Sequence, residues 1–270
     1  MTPILAFDIE TVPDCAGLRR LHELPENLPD REVAEIAFQR RRAQSGSDFL
    51  PPHLHRVLVI SCVLRDAEQL RIWSIGAPQE DERTAIQRFY DGVERYVPQL
   101  VSWNGGGFDL PVLNFRALAN GVSAPRFWEQ GEEDRDFRFN NYVSRYHARH
   151  LDLMDVLAMY QPRNNASLDD MARLAGFPGK VGMGGAAVWD QYQAGESRAI
   201  RNYCEADSVN TYLLFLRYQL LRGVLNEERY RAECDLVRSV LEKQQEPHWG
   251  EFLARWQDSP APAPGGRTAP

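Results

Sequence analysis

The sequence predicts an α/β fold in which a mixed central sheet is flanked by helices. Residues 4–10 are an apolar run typical of a buried strand, and residues 56–65 and 69–75 are strand-like runs separated by a short polar break that suits a hairpin. Residues 80–96 carry apolar side chains at helical spacing, and residues 100–103 return to a strand-like pattern. Strands that share a sheet with an intervening helix are typical of layered α/β domains.

Composition places the chain among ordinary globular proteins. Its 270 residues are 43% hydrophobic, which is enough for a substantial core in one large or two small domains. The formal net charge of -7 argues against bulk attraction to nucleic acid but not against a local basic groove beside an acidic, metal-neutralised site.

The sequence also predicts the cellular setting. No window reaches the roughly 18 uninterrupted apolar residues of a membrane span, and Asp8 comes before a signal-like apolar region could form. We therefore expect a cytoplasmic protein without membrane contact. The four cysteines, at positions 15, 62, 204 and 234, form no CxxC pair, so reduced thiols are expected rather than a zinc site or disulfides.

Two acids stand out in the first strand. Asp8 and Glu10 share one face of the strand, about 7 Å apart along the chain. Burying such a pair is costly unless a positive charge compensates, and a metal ion would supply it. The alternative is that the strand ends here and both acids lie in water beside Pro13.

The following residues have less distinctive patterns. Residues 14–29 are expected to form a loop, and residues 31–43 a helix that ends in three arginines, at positions 40–42. Arginines there complement the helix dipole, while a nucleic-acid-binding patch is the alternative.

A glycine-rich segment follows the strand at 100–103. It begins at Asn104, continues through three glycines and ends in Phe108 and Asp109. It lacks the lysine and hydroxyl residue of a P-loop and the spacing of a dinucleotide fingerprint. The glycines instead predict a tight turn that approaches a ligand, with Asp109 opening a helix over 110–119. The alternative is that Asp109 is only a helix cap.

The middle of the chain is harder to assign. Residues 125–149 show no clean period, and residues 150–155 resemble a short strand or the entry to a helix. Ser167 is a plausible cap for a helix that follows it, and residues 176–185 are expected to be a flexible connector.

A long helix is predicted over residues 196–221. Tyr203 and Asp207 are four residues apart in it, so their Cβ atoms lie about 6 Å apart on one face. Taken alone, they could be a structural hydrogen-bond pair. A further helix over 227–245 and the aromatic segment around Trp249 and Trp256 indicate a C-terminal helical extension.

Three motifs in order give the chain a family resemblance. Asp8-Ile-Glu10, then Asn104 through Asp109, then Tyr203 through Asp207 resemble the motifs of the tyrosine-bearing branch of the DEDD exonucleases. The arrangement is most similar to stand-alone bacterial proteins related to the proofreading domain of family B DNA polymerases. The resemblance extends to about residue 223 and implies a ribonuclease H-like fold.

The resemblance and the donor chemistry together predict the site. Phosphodiester hydrolysis suits two divalent ions about 4 Å apart, and oxygen ligands favour Mg²⁺ or Mn²⁺. Asp8 would bridge the ions, Glu10 and Asp207 would bind the one that activates water, and Asp109 would complete the shell of the other. Tyr203 would orient the attacking water.

Three further residues are implied in substrate binding. By resemblance Thr11, Asn104 and Phe108 would bind substrate, the last two at the terminal sugar and base. Phe108 is equally compatible with an ordinary place in the core.

The resulting expectation is a 3′–5′ exonuclease that releases nucleoside monophosphates from single-stranded DNA. An exoribonuclease of the same fold and a non-catalytic nucleic-acid-binding or scaffold domain remain the alternatives. The expected organisation is an exonuclease domain over 1–223, the helical extension over 224–258 and a disordered tail over 259–270.

Overall fold

The fold is built on a five-stranded mixed sheet, as the sequence predicts. The computed structural model describes residues 2–76 and 80–257. Within these ranges the strands are β1 (Ile4–Pro13), β2 (His55–Arg65), β3 (Leu70–Ile75), β4 (Gln99–Ser102) and β5 (His150–Asp152). Their order is β3-β2-β1-β4-β5, and β1 pairs antiparallel with β2 but parallel with β4. The predicted tail over 259–270 lies outside the described residues.

Eleven α-helices are present in the described ranges. They are α1 (Cys15–His22), α2 (Asp30–Ser45), α3 (Glu82–Tyr96), α4 (Asp109–Asn120), α5 (Pro125–Trp128), α6 (Leu153–Leu157), α7 (Leu168–Leu174), α8 (Val188–Gln193), α9 (Ser197–Leu221), α10 (Glu227–Lys243) and α11 (Pro247–Arg255). The predicted cap of α7 is confirmed, since Ser167 accepts the backbone N–H of Asp170, and Asp81 caps α3 in the same way through Thr84. None of the helices that the structure describes is long and apolar enough to cross a membrane.

Two local predictions near the start of the chain were wrong. The loop expected over 14–29 contains α1, because Asp14 caps it by accepting the Gly17 N–H at 3.0 Å and Leu18 packs against α2. The first strand does not end at Glu10 but runs to Pro13, held by β2 across a register shift between Glu10 and Thr11. The acids therefore lie inside a strand rather than beyond its end.

The connector over 176–185 is packed rather than free. Phe177 and Val181 belong to the core, and Asn210 of α9 both accepts the Gly179 N–H at 3.3 Å and donates to its carbonyl at 2.8 Å. The expected flexible connector is thus fastened to the helix that carries Tyr203.

The C-terminal helices share the core of α9. Val237, Leu241, Trp249 and Phe252 are fully or almost fully buried in the same cluster as the apolar face of α9. Cys15, Cys62 and Cys204 are buried free thiols, as expected, and Cys234 is partly buried. The proposed boundary at 223 stays a prediction.

Candidate active site

The two acids of β1 lie where the sheet opens. β4 pairs with β1 only from Ile4 to Ala6, so Asp8 and Glu10 lie beyond the last residue pairing of the two parallel strands. Oxygens of both acids and the Sγ atom of Cys204 lie within 4.8 Å of one another. Parallel strands that separate at their carboxyl ends leave a crevice, and these acids line it.

Asp109 approaches the same crevice from the start of α4. Its Oδ1 accepts the backbone N–H of Ile9, the residue between the two β1 acids, at 3.2 Å. Phe108 is the residue that precedes the helix, and no side-chain cap bond is formed there. The interpretation of Asp109 as only a helix cap is therefore wrong, since its carboxylate joins α4 to β1.

The turn before Asp109 is shaped by Asp152 at the end of β5. The Asp152 carboxylate accepts the N–H groups of Asn104 at 2.9 Å and Gly106 at 2.8 Å. Asn104 has a positive φ of 65°, and a Cβ on Gly105 would lie 2.3 Å from Ser102 Oγ. The glycines are thus required by crowding inside the turn, which sets the position of Asp109.

Helix α9 supplies the remaining groups. Tyr203 and Asp207 are only 3% and 5% exposed, and the Cys204 thiol between them donates to the Asp8 carbonyl at 3.3 Å. Because this bond uses the thiol hydrogen, Cys204 serves to hold α9 against β1. The sheet and α9 therefore bring the three predicted motifs together.

The four acids repel one another in a poorly solvated site. Burial raises the pKa of Asp8 well above its ordinary value, and the carboxyls of Asp109, Glu10 and Asp207 raise it further. Burial is also the main cause of the raised pKa of Glu10, and the charges of Asp207 and Asp109 raise it further. Burial raises the pKa values of Asp109 and Asp207 to about 7. Such a cluster favours any bound positive charge.

Lys180 is a cation beside this cluster that the sequence motifs do not include. Its Nζ lies 5.5 Å from the centre of the Tyr203 ring. Burial is the main cause of the raised pKa values of Glu10 and Asp207, and the positive charge of Lys180 lowers both values. Two signals were available in the sequence: Lys180 and Lys243 are the only lysines, and Gly179-Lys180 lies in the connector that the family resemblance includes.

Tyr203 is held as a neutral phenol. Burial raises its pKa well above the ordinary value, and Asp207, Glu10 and Asp8 raise it further. Its hydroxyl in turn lowers the pKa of Asp207, so the structural pairing of these residues coexists with their place in the crevice. Gly185 approaches the hydroxyl, since a Cβ there would lie 3.9 Å from it.

The three expected substrate residues lie at the margin of the crevice. Thr11 follows Glu10 and its hydroxyl is 2.8 Å from His55 Nδ1. Asn104 is exposed and Phe108 is half-buried, with its ring 5.1 Å from that of His55. Phe108 also packs against the core cluster of β1, β2 and α3, so its part in substrate binding stays a prediction.

Glu205, between Tyr203 and Asp207, fastens α9 from the other side. Burial raises its pKa, but bonds from His248, Ser74 and Arg201 lower it overall. Ser74 donates at 2.7 Å and Arg201 at 2.8 Å, and His248 of α11 lies 3.1 Å away. The C-terminal extension and β3 are thus both connected to the helix that bears the site.

Comparison with known proteins gives a consistent result. Residues 47–256 match the model of a family described as "Predicted 3'-5' exonuclease related to the exonuclease domain of PolB". The chain is 26% identical over 228 residues to the catalytic subunit of DNA polymerase epsilon from Aspergillus fumigatus, covering 80% of this chain and 9% of that protein. It is 23% identical over 197 residues to a DNA polymerase of Archaeoglobus fulgidus, covering 71% of this chain and 24% of that protein. The chain thus spans a small part of the polymerases it resembles.

Proposed function

Because the chain belongs to the family of predicted 3′–5′ exonucleases related to the PolB exonuclease domain, we propose that it is a metal-dependent DEDDy-type enzyme. Its substrate would be the 3′ end of single-stranded DNA and its product a nucleoside monophosphate. The observation that carries this proposal is the convergence of Asp8, Glu10, Asp109 and Asp207, whose burial and mutual repulsion a bound cation would relieve.

The residues fit a pair of hard divalent ions. Asp8 Oδ2 and Asp207 Oδ1 are buried oxygens without a hydrogen-bond partner among the described residues, which is costly unless a ligand engages them. The carboxylates of the four acids suit Mg²⁺ or Mn²⁺, and Asp8, whose pKa the other three acids all raise, would be a principal ligand. Bound there, the ions would activate water and stabilise the leaving oxygen.

The protein's own groups have separable tasks in this proposal. Tyr203 stays protonated, so it orients the attacking water by hydrogen bonding and does not accept its proton. Lys180, beside the Tyr203 ring, would interact with the negatively charged phosphodiester. Asp152 and Cys204 would act as positioning residues. Asp152 holds the turn before Asp109, and Cys204 holds α9 against β1.

The direction and substrate are tested with an oligonucleotide labelled at its 5′ end. We expect stepwise shortening from the 3′ end, loss of activity in EDTA, and impeded cleavage when the end carries a 3′-phosphate. Asp8→Ala is the matched inactive variant. Cutting of a circular single strand, or undiminished turnover in Asp8→Ala, would refute the proposal.

DNA is favoured over RNA because the similar proteins are named as DNA polymerases. A matched RNA oligonucleotide in the same assay tests this preference. Faster shortening of the RNA would identify an exoribonuclease instead, and binding without any hydrolysis would identify a non-catalytic domain.

A further inference from the structure

Three aromatic rings form a group at the margin of the active-site crevice. The Phe49 and Phe108 ring centres are 5.3 Å apart, and His55 lies 5.5 Å from the first and 5.1 Å from the second. We call Phe49, His55 and Phe108 the aromatic shelf. Phe49 is 58% exposed, whereas the next residue, Leu50, is 2% exposed and packs in the apolar cluster of α1 and α2.

Hydrogen bonds fasten the shelf to the active-site strand. His55 Nε2 lies 3.0 Å from the Leu50 carbonyl, which can only accept, so Nε2 carries the proton. Burial lowers the pKa of His55, so the ring is neutral and Nδ1 accepts the Thr11 hydroxyl. Thr11 follows Glu10 and Phe108 precedes Asp109, so the shelf adjoins two of the four acids.

An arginine of α2 lies behind the shelf. Arg41 Nε donates to the Phe49 carbonyl at 3.1 Å, while Arg42 pairs with Asp48. Arg41 has no carboxylate partner within the described ranges, and Arg40 lies near His22 of α1 instead. Because α2 continues to Ser45, Arg41 lies before the last turn of the helix and gains little from the helix dipole.

We propose that Phe49 is a second base-stacking surface for single-stranded nucleic acid, next to the nucleotide at Phe108, with Arg41 near its phosphates. The inference rests on the proposed function. An exposed phenylalanine fixed beside a half-buried one offers a flat apolar face, and every base can stack on such a face. The adjacent guanidinium group of Arg41 suits the phosphate backbone that links stacked bases. The shelf would therefore bind the strand without reading its sequence.

Binding in EDTA tests the shelf without hydrolysis. The probe is a twelve-residue thymidylate strand with a 5′ fluorescein, followed by fluorescence anisotropy. Phe49→Ala should raise the dissociation constant about tenfold, the loss expected for one base-aromatic stack, and Phe49→Trp should preserve or tighten binding. The difference should shrink as the strand is shortened to a dinucleotide.

The matched control is Phe139→Ala. Phe139 is 80% exposed but lies between α5 and β5, and its ring contacts Arg138, so its loss should leave the dissociation constant unchanged. Arg41→Gln should reduce the slope of the logarithm of the binding constant against the logarithm of the salt concentration by about 0.7.

The outcomes separate this inference from the proposed function. Equal affinity of the wild type and Phe49→Ala for the long strand, or an equal loss in Phe139→Ala, would overturn the stacking surface. A wild type that binds the strand but does not shorten it with Mn²⁺ would refute the nuclease and still leave the Phe49 comparison decisive.

Discussion

Asp207→Asn should stabilise the metal-free protein, and more so at pH 8 than at pH 5. Burial raises the pKa of Asp207 from 3.8 to about 7. A carboxyl whose pKa is raised in the folded state stabilises the fold while it is protonated. That stabilisation is fully present below the unfolded value near 4 and is lost as the pH rises through about 7. Asparagine removes the charge and hence this loss.

The size of the effect follows from the shift. About three pKa units correspond to about 4 kcal/mol at pH 8 if Asp207 titrated alone. The repulsion is shared with the other acids, and asparagine forfeits the attraction to Lys180, so we expect about 2 kcal/mol. For a chain of this size that is a rise in Tm of about 4–8 °C.

Thermal unfolding in EDTA at pH 5 and pH 8 measures the stabilisation by Asp207→Asn. Glu26→Gln, which changes an exposed acid, controls for the net charge. An Asp207→Asn protein no more stable than the wild type at pH 8, or equally stabilised at both pH values, would refute the electrostatic account. Added Mn²⁺ should raise the Tm of the wild type more than that of Asp207→Asn.

Three other variants probe the crevice. Tyr203→Phe should lose one hydrogen bond, and its single-turnover rate should fall about tenfold to a hundredfold, whereas Asp207→Ala should retain almost no activity. If both proteins are folded and lose activity equally, the phenol acts as a proton acceptor. Gly105→Ala should lower the free energy of unfolding in urea by about 1–3 kcal/mol because its Cβ would meet Ser102. Gly92→Ala, with open space inside α3, should raise the free energy of unfolding by about 0.5–1 kcal/mol. Lys180→Gln should lower kcat on single-stranded DNA by about tenfold, and an unchanged kcat would exclude its contact with phosphate.

The sequence predicted the site's acids because their chemistry is local. Asp8 and Glu10 alternate on a strand, and Tyr203 and Asp207 share a helix face, so backbone periodicity alone brings each pair to one side. The hairpin between β2 and β3 was predictable for the same reason. That these segments meet needed the resemblance, since no local rule joins residues two hundred positions apart.

What the sequence did not reveal depends on tertiary contact. Asp152 supports the turn before Asp109 through backbone bonds formed only when β5 lies beside β4. Helix α1 escaped prediction because its few buried residues, such as Leu18, are stabilised by α2 rather than by its own periodicity. The packed connector around Gly179 depends likewise on Asn210 of a distant helix.

The bond from the Cys204 thiol to the Asp8 carbonyl also bears on how the protein is synthesised. It joins residues 196 positions apart, and Asp8 lies on the central strand of the sheet. At about 5–20 residues per second, roughly 10–40 s pass between translation of the first acid and translation of α9. During that time β1 can pair with β2, which follows closely, but its acidic face has no α9 to cover it. A ribosome-bound chain therefore carries an incomplete acid cluster, and the nuclease activity that we propose would arise only after α9 has left the exit tunnel.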